Sequence, residues 1–498
     1  MKKFKKAITI LSALVMGVTA FAACGGNSQS GENKGDPNEI MIYYWNSGYG
    51  KEFMEKIVAD FNASQTQYRA DLTLESNAGT IIKSLESGNG NPYDLYFTML
   101  NTSKYNDSFI NLDDVLDSKA DGESVTIREK YYDYLLNGVK EADGKTRFLT
   151  YGNGWCSLIY NADIIDGVKY AVPNTTDELE TLVASITEVK PWIFYNDSNN
   201  NGYWNYAAYA WEAQYDGIDY YYNTTMQLKA EDGTSPSKEV FTRKDGRFKA
   251  LEVIESILSA NFVHPDSTKD DFTASQVKFL NGEAAMTING SWLMKESKGT
   301  KENFVMMKMP VISKIVEKLE DKTMTDETLS AIVAEVDEGK TSSELCSDKD
   351  FKKIKEARNL MYNNASEQYV FIPEYSSSKE GAKAFLKYFY SDKGTSEFMK
   401  ATNLPASVRL ADASLFDASN LNAWFKVQHN LSKEVTAITN TMVKSPVYIN
   451  SSVNHFANLT FAQSFIKDDG TNKTAEELWN NDVIGFIEEN WDDWSRNV

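Results

Sequence analysis

An α/β fold built as two domains is what this sequence predicts, and three observations carry that reading. Of its 498 residues, about 460 remain after an N-terminal leader and tether, enough for two buried cores of ordinary size. Apolar positions switch repeatedly between the period of two that marks a strand and the three-to-four spacing that marks a helix. Strand and helix also alternate along the chain, which requires parallel pairing through right-handed crossovers.

The leader comes first. Lys2, Lys3, Lys5 and Lys6 precede an apolar run over residues 7–23 that ends in small side chains, the layout of a secretory signal. That run is shorter than the ~20 residues of a spanning helix, so residues 1–23 read as an address. Phe21-Ala22-Ala23-Cys24 resembles the bacterial lipobox, with Phe21 where leucine is usual. Cys24 is then the lipidated residue, and each buried methylene of its acyl chains adds roughly 0.8 kcal/mol of membrane affinity. Residues 25–38, rich in Gly, Ser, Asn and Lys, form a flexible tether. The expected location is the outer face of the cytoplasmic membrane.

Residues 40–45 are β-rich, and Phe53, Met54, Ile57, Val58 and Phe61 follow at helical spacing. Residues 70–75 alternate, Ile81, Ile82 and Leu85 form a short helical face, and 93–99 is again strand-like. The unit is β-α-β-α-β. A second α/β unit places a strand at 157–161 and a helix capped by Thr175 and Glu178, with Leu179, Leu182, Val183 and Ile186 on one face. Thr273 and Gln276 mark another helix start, Asn281-Gly282 its stop, and 284–289 a strand. Ser377 and Glu380 open a third capped helix that carries Phe385, Leu386 and Phe389. Residues 313–364 are charged and helical in period, with Leu329, Ile332, Val333 and Val336 on one face, and read as an inserted helical subdomain.

Asp and Glu number 71 against 51 Lys and Arg, for a net charge of −20, and four of those lysines belong to the leader. Such a field repels nucleic acid and anionic lipid headgroups. With Cys24 assigned to lipid, Cys156 and Cys346 stand far apart and give no disulfide framework. His264, His429 and His455 show no metal-ligand spacing. Asp197-Ser198-Asn199-Asn200-Asn201-Gly202 matches half a calcium loop, but position twelve is Ala208 rather than glutamate. A polar turn explains it, and no metal or cofactor is expected.

Residues 279–292, Phe-Leu-Asn-Gly-Glu-Ala-Ala-Met-Thr-Ile-Asn-Gly-Ser-Trp, closely resemble the hallmark segment of extracellular solute-binding protein family 1, which includes maltose-binding and other sugar-binding proteins. Three further segments match in order: 159–163 with Pro173 and 176–179; Lys308-Met309-Pro310; and 376–390 leading to Leu404-Pro405-Ala406. The resemblance implies a type II periplasmic-binding-protein-like fold, two α/β lobes joined by hinge strands with the ligand between them. Lobe one takes residues 39–150 with 366–404. Lobe two takes 151–365, which includes the insertion, and 405–498. The implied role is that of the substrate-binding lipoprotein of an ABC importer, a monomer that hands its cargo to permease subunits. The insertion departs from the family pattern and fits a lid, a docking surface or an inert decoration.

A sugar presents hydroxyls at its rim and C–H patches on its faces, so its site needs amides and aromatic plates. In open α/β sheets these belong just beyond the carboxyl ends of strands. Trp45, Asn46 and Tyr49 follow the first strand, Asn77 the second and Asn101 the third. Asn153 and Trp155 lie on the first crossing, Tyr203 and Trp204 after an Asn-rich loop, and Ser291 and Trp292 after the hallmark strand. Phe456 is a further candidate. By family position these resemble ligand contacts, whereas Trp211, Trp479, Trp491 and Trp494 fit core positions on helices. The expected ligand is a neutral oligosaccharide, with peptide or polyol as alternatives. A secreted carbohydrate-active enzyme is the rival of another class, although the sequence holds no G-x-S-x-G, H-E-x-x-H or G-x-x-x-x-G-K-[ST]. An adhesive or sensory lipoprotein on the same fold is a third reading.

Overall fold

A computed structural model describes residues 36–46, 48–75, 83, 85, 91–99, 108–139, 141, 143–195, 203–296, 303–439, 465–466 and 471–496. Cys24, Asn77, Asn101, Phe456 and the turn at 197–202 lie outside them. Residues 35–498 form one compact unit. Its described strands are β1 (Glu39–Trp45), β2 (Arg69–Glu75), β3 (Leu95–Thr98), β4 (Leu149–Thr150), β5 (Trp155–Asn161), β6 (Lys190–Trp192), β7 (Ala284–Gly290), β8 (Phe304–Met306), β9 (Leu360–Asn363), β10 (Tyr369–Phe371) and β11 (Thr436–Ile438).

They form two sheets, one ordered β2-β1-β3-β10-β4 and the other β11-β9-β5-β7-β6, with β8 on β5. β1 runs parallel to β2 and β3, with Ile42 opposite Leu72 and Leu95, as the β-α-β-α-β pattern requires. β10 returns antiparallel to both β3 and β4, so the first sheet is mixed. Helix Glu52–Ser64 buries Phe53, Met54, Ile57, Val58 and Phe61. Phe53 meets Phe398 at 4.9 Å and Phe61 meets Phe385 at 5.2 Å, both edge-on. Such pairs add about 0.5–1.5 kcal/mol each beyond their buried area.

In the second sheet β5 pairs antiparallel with β7, while β6 runs parallel to β7. Thr175 caps helix Thr176–Ser185 by accepting from the Glu178 N–H. The Glu178 carboxylate reaches one residue further back and accepts from the Asn174 N–H at 2.7 Å, so the reciprocal half of the box is shifted. Two helix starts differ from the sequence reading. Helix Phe272–Leu280 begins ahead of Thr273, because the Asp271 carboxylate accepts from the Ala274 N–H at 2.8 Å. At helix Lys379–Phe389 the N-cap is Ser378, since buried Asp94 takes the N–H groups of Ser377 and Ser378 at 2.9 and 3.1 Å.

Residues 313–364 contribute helices Asp326–Asp337 and Asp348–Arg358 and end in β9. Leu329, Ile332, Val333, Val336, Phe351 and Ile354 join the core beneath the second sheet. Arg358 fastens the segment by donating to both oxygens of Asp337 and to the Met309 carbonyl. Neither Cys156 nor Cys346 is in a disulfide. Among the described residues no helix is long and apolar enough to cross a membrane.

Candidate functional site

Between the two sheets lies a cavity of about 390 Å³. β1 delivers its first wall: Trp45 ends the strand, and Gly48 and Tyr49 follow in the loop beyond its carboxyl end. That loop is pinned at its start by the Asn46 N–H donating to the Glu75 carbonyl at 2.8 Å. It is pinned at its far end by the buried Tyr49 ring, edge-on to Phe398 at 5.4 Å and Tyr151 at 6.1 Å. Met99, just after β3, completes this side.

Across the cavity, Tyr195 follows β6, and Tyr203, Asn205 and Tyr206 come from the start of helix Trp204–Asp216. Tyr203 takes a left-handed backbone (φ 67°) at the N-cap, which turns its ring onto Tyr206 at 4.8 Å. Trp292 follows β7, meets Tyr203 edge-on at 5.9 Å, and is 6 % exposed. Phe272 and Glu296 close the wall, and Asn364 and Gln368 supply amides from the crossing segment.

The two walls touch. A Cβ on Gly48 would lie 2.7 Å from Trp292 Cβ and 3.3 Å from Glu296 Oε1, so only glycine admits this approach. Lys295 reaches the other way, donating to the Ala401 carbonyl at 2.5 Å. Gly152, on the crossing after β4, is equally confined, since its Cβ would stand 2.5 Å from Tyr49 Oη. Behind that contact the buried Tyr49 hydroxyl faces Ser291 and Gln368. Burial pushes the Tyr49 hydroxyl well above the ordinary phenol range, with the facing Gln368 and Ser291 pulling it down. Hydroxyls and amides gathered at the inner end of an aromatic cavity suit a ligand that carries its own hydroxyls.

Of the residues singled out from sequence, Trp45, Tyr49, Tyr203 and Trp292 line this cavity. Asn46 sits at the strand end beside it, and Ser291 lies buried behind it. Three others face elsewhere. Trp204 is fully buried and packs on Trp192 at 5.1 Å, because on a helix it points away from Tyr203 and Tyr206. Trp155 is also fully buried and donates its indole N–H to Ser432 Oγ at 2.9 Å. Asn153 donates to Tyr134 Oη at 3.0 Å and accepts from Asn363 Nδ2 at 2.7 Å, tying the two crossings together. Gly48, Met99, Tyr195, Asn205, Tyr206, Phe272, Glu296, Asn364 and Gln368 were not among the sequence candidates. Tyr195 and Met99 obey the strand-end rule and were open to it; Phe272 and Glu296 carry no sequence signal.

Glu296 is the carboxylate of the described lining. Gln276 donates to it at 3.0 Å. Solvent still reaches the side chain through the cavity, yet burial pushes the carboxyl up to about 7, against the smaller pull of Gln276. The folded chain thus keeps a proton that the unfolded chain releases above the ordinary glutamate range, so stability from this group falls as pH rises from about 4.5 towards 7. Thermal unfolding of the ligand-free protein at pH 5 and pH 8 should show a larger drop for the native sequence than for Glu296→Gln. Equal drops would mean that Glu296 is hydrated as in the unfolded chain.

The fold has counterparts of known structure. The bacterial solute receptor AcbH, with an exclusive preference for β-D-galactopyranose, superposes with a TM-score of 0.60 at 14 % identity, covering 91 % of this chain and 99 % of that one. The GacH receptor of Streptomyces glaucescens, solved with acarbose, gives 0.57 at 13 % identity, covering 90 % and 98 %. RafE in complex with raffinose gives 0.55 at 14 % identity, covering 90 % and 99 %. At such identities the likeness is one of fold: two lobes with a cleft between them. No curated relative matches the sequence. Residues 56–417 match the family described as bacterial extracellular solute-binding protein, and the chain belongs to that family.

Proposed function

We propose that the protein captures a sugar or oligosaccharide outside the cell and delivers it to the permease of an ABC importer, held at the membrane by lipid on Cys24. The observation that carries this reading is the cavity itself. Trp45 and Tyr49, beyond β1, line it together with Tyr203 from a helix start and Trp292 beyond β7, with amides and hydroxyls behind. Sugar ligands in the names of structural counterparts support the ligand class. Ligand would bind one lobe first and stabilise closure by touching the second, since only differential contact shifts such an equilibrium. The division into residues 39–150 with 366–404 and the remainder gives the lobes that would rotate.

A thermal-shift screen of the mature chain against sugars, amino acids and peptides tests the ligand class. Ligand at a hundred times its Kd adds about 2.7 kcal/mol to the folded state. Stabilisation by peptides alone would remove sugar from the proposal. Solution scattering should show compaction with the ligand, and an unchanged radius would rule out closure. Gly48→Ala is expected to weaken binding, because its methyl meets Trp292 only when the walls touch. Overpacking of this kind costs roughly 1–3 kcal/mol, or about 5- to 150-fold in Kd by titration calorimetry. The enzyme alternative needs two carboxylates across a glycosidic bond, whereas the described lining holds Glu296 alone. Incubation with oligosaccharides should leave them uncleaved.

A further inference from the structure

The charge inside the cavity is at odds with a wholly neutral ligand. Among the described lining residues Glu296 is the one acidic side chain, and none is Lys, Arg or His. Its Oε2 is held by neutral Gln276, and its Oε1 faces Gly48 of the opposite wall. The neighbouring cation, Lys295, is turned away to the Ala401 carbonyl. The same cavity is lined by the rings of Trp45, Tyr203, Tyr206, Phe272 and Trp292.

Building on the sugar-capture reading, we propose that the cavity is made for a sugar bearing a free amino group, whose ammonium pairs with Glu296 against the aromatic faces. A carboxylate set in an aromatic cavity, even one that solvent still reaches, is a ready partner for a cation. Aromatic faces attract the same cation, most strongly where water is excluded. A hydroxyl supplies one hydrogen bond to Glu296 and leaves its charge uncompensated. An ammonium supplies the hydrogen bond and the charge. The net charge of −20 draws such a ligand in rather than repelling it. Burial raises the free carboxyl to about 7, so an arriving ammonium expels its proton. Among the described residues, Gln276 and Gly48 face Glu296 from the packed elements, and neither carries a charge. The neutral oligosaccharide expected from sequence rested on amides and aromatics and did not place Glu296 among them.

Titration calorimetry on the mature chain with the disaccharide of glucosamine, its N-acetylated counterpart and cellobiose separates the possibilities. At pH 6 the amino disaccharide should bind at least about tenfold more tightly than the other two. Repeating the titration in buffers of different ionisation heat should show release of up to about one proton per ligand. Glu296→Gln, checked for folding by circular dichroism, should lose both the preference and the proton release. If the neutral and acetylated sugars bind as well as the amine, and Glu296→Gln changes nothing, the ammonium proposal falls while sugar capture stands. Failure of all three sugars to bind overturns the ammonium proposal and counts against sugar capture as well.

Discussion

Trp292→Ala is expected to reduce ligand affinity by at least about 30-fold, a loss of roughly 2 kcal/mol or more that marks a central buried aromatic contact. Three roles meet in this side chain. It lines the cavity, it braces Tyr203 at 5.9 Å, and it is the surface on which Gly48 of the opposite wall rests. Removing it deletes a plate, loosens a second one and empties the contact between the lobes. Truncation of a buried tryptophan also costs about 3–5 kcal/mol of stability, so affinity is to be measured where circular dichroism shows the variant folded. Trp292→Phe keeps a smaller plate and should lose less. A variant that melts earlier but binds ligand as before would show that Trp292 serves the core alone.

The second large effect is expected far from the cavity. Lys130 has 2 % of its side chain exposed, and its ammonium touches Glu123 at 2.7 Å, Asp392 at 2.9 Å and the Tyr390 carbonyl at 2.9 Å. Lys130→Met should cost about 3–5 kcal/mol, because it strands two carboxylates in a dry site. Adding Glu123→Gln and Asp392→Asn to that variant should recover much of the loss, which chemical denaturation would measure. Burial alone would raise the Asp392 carboxyl. Lys130 and the N–H groups of Ala411 and Asp412 outweigh it and hold the group below the usual range. Its contribution is therefore present above the ordinary carboxylate pKa of about 4 and disappears as pH falls through the lowered value. The stability gap between Lys130→Met and the native sequence should therefore narrow as pH falls, which chemical denaturation at neutral and at acid pH would measure. Glu296 has the opposite sign, so the two groups weaken the fold at opposite ends of the pH scale.

Local pattern made the scaffold readable. The spacing of Phe53, Met54, Ile57, Val58 and Phe61 gave the first helix and its buried face, a β-rich run gave β1, and alternation gave β2. Helix starts were read less well, because a cap is chosen by distant chemistry: Asp94 lies nearly three hundred positions before the serines it binds. The cavity was half legible. Strand ends announced Trp45, Tyr49 and Trp292, whereas adjacency in sequence grouped Trp204 with Tyr203 although a helix sends them to different sides. Glu296 was hidden among 71 acidic residues, and only the fold shows that it lines the cavity opposite Gly48.

The strand order of the first sheet bears on how the protein is made. β10 sits between β3 and β4, yet β4 ends at Thr150 and β10 begins at Tyr369. While the intervening chain is still being synthesised, β3 and β4 lack the strand that joins them, and the pocket for Phe371 beside Phe109 and Tyr96 stays unfilled. Contacts of such long sequence separation form slowly. The first sheet therefore stays open until residues 369–371 have been made.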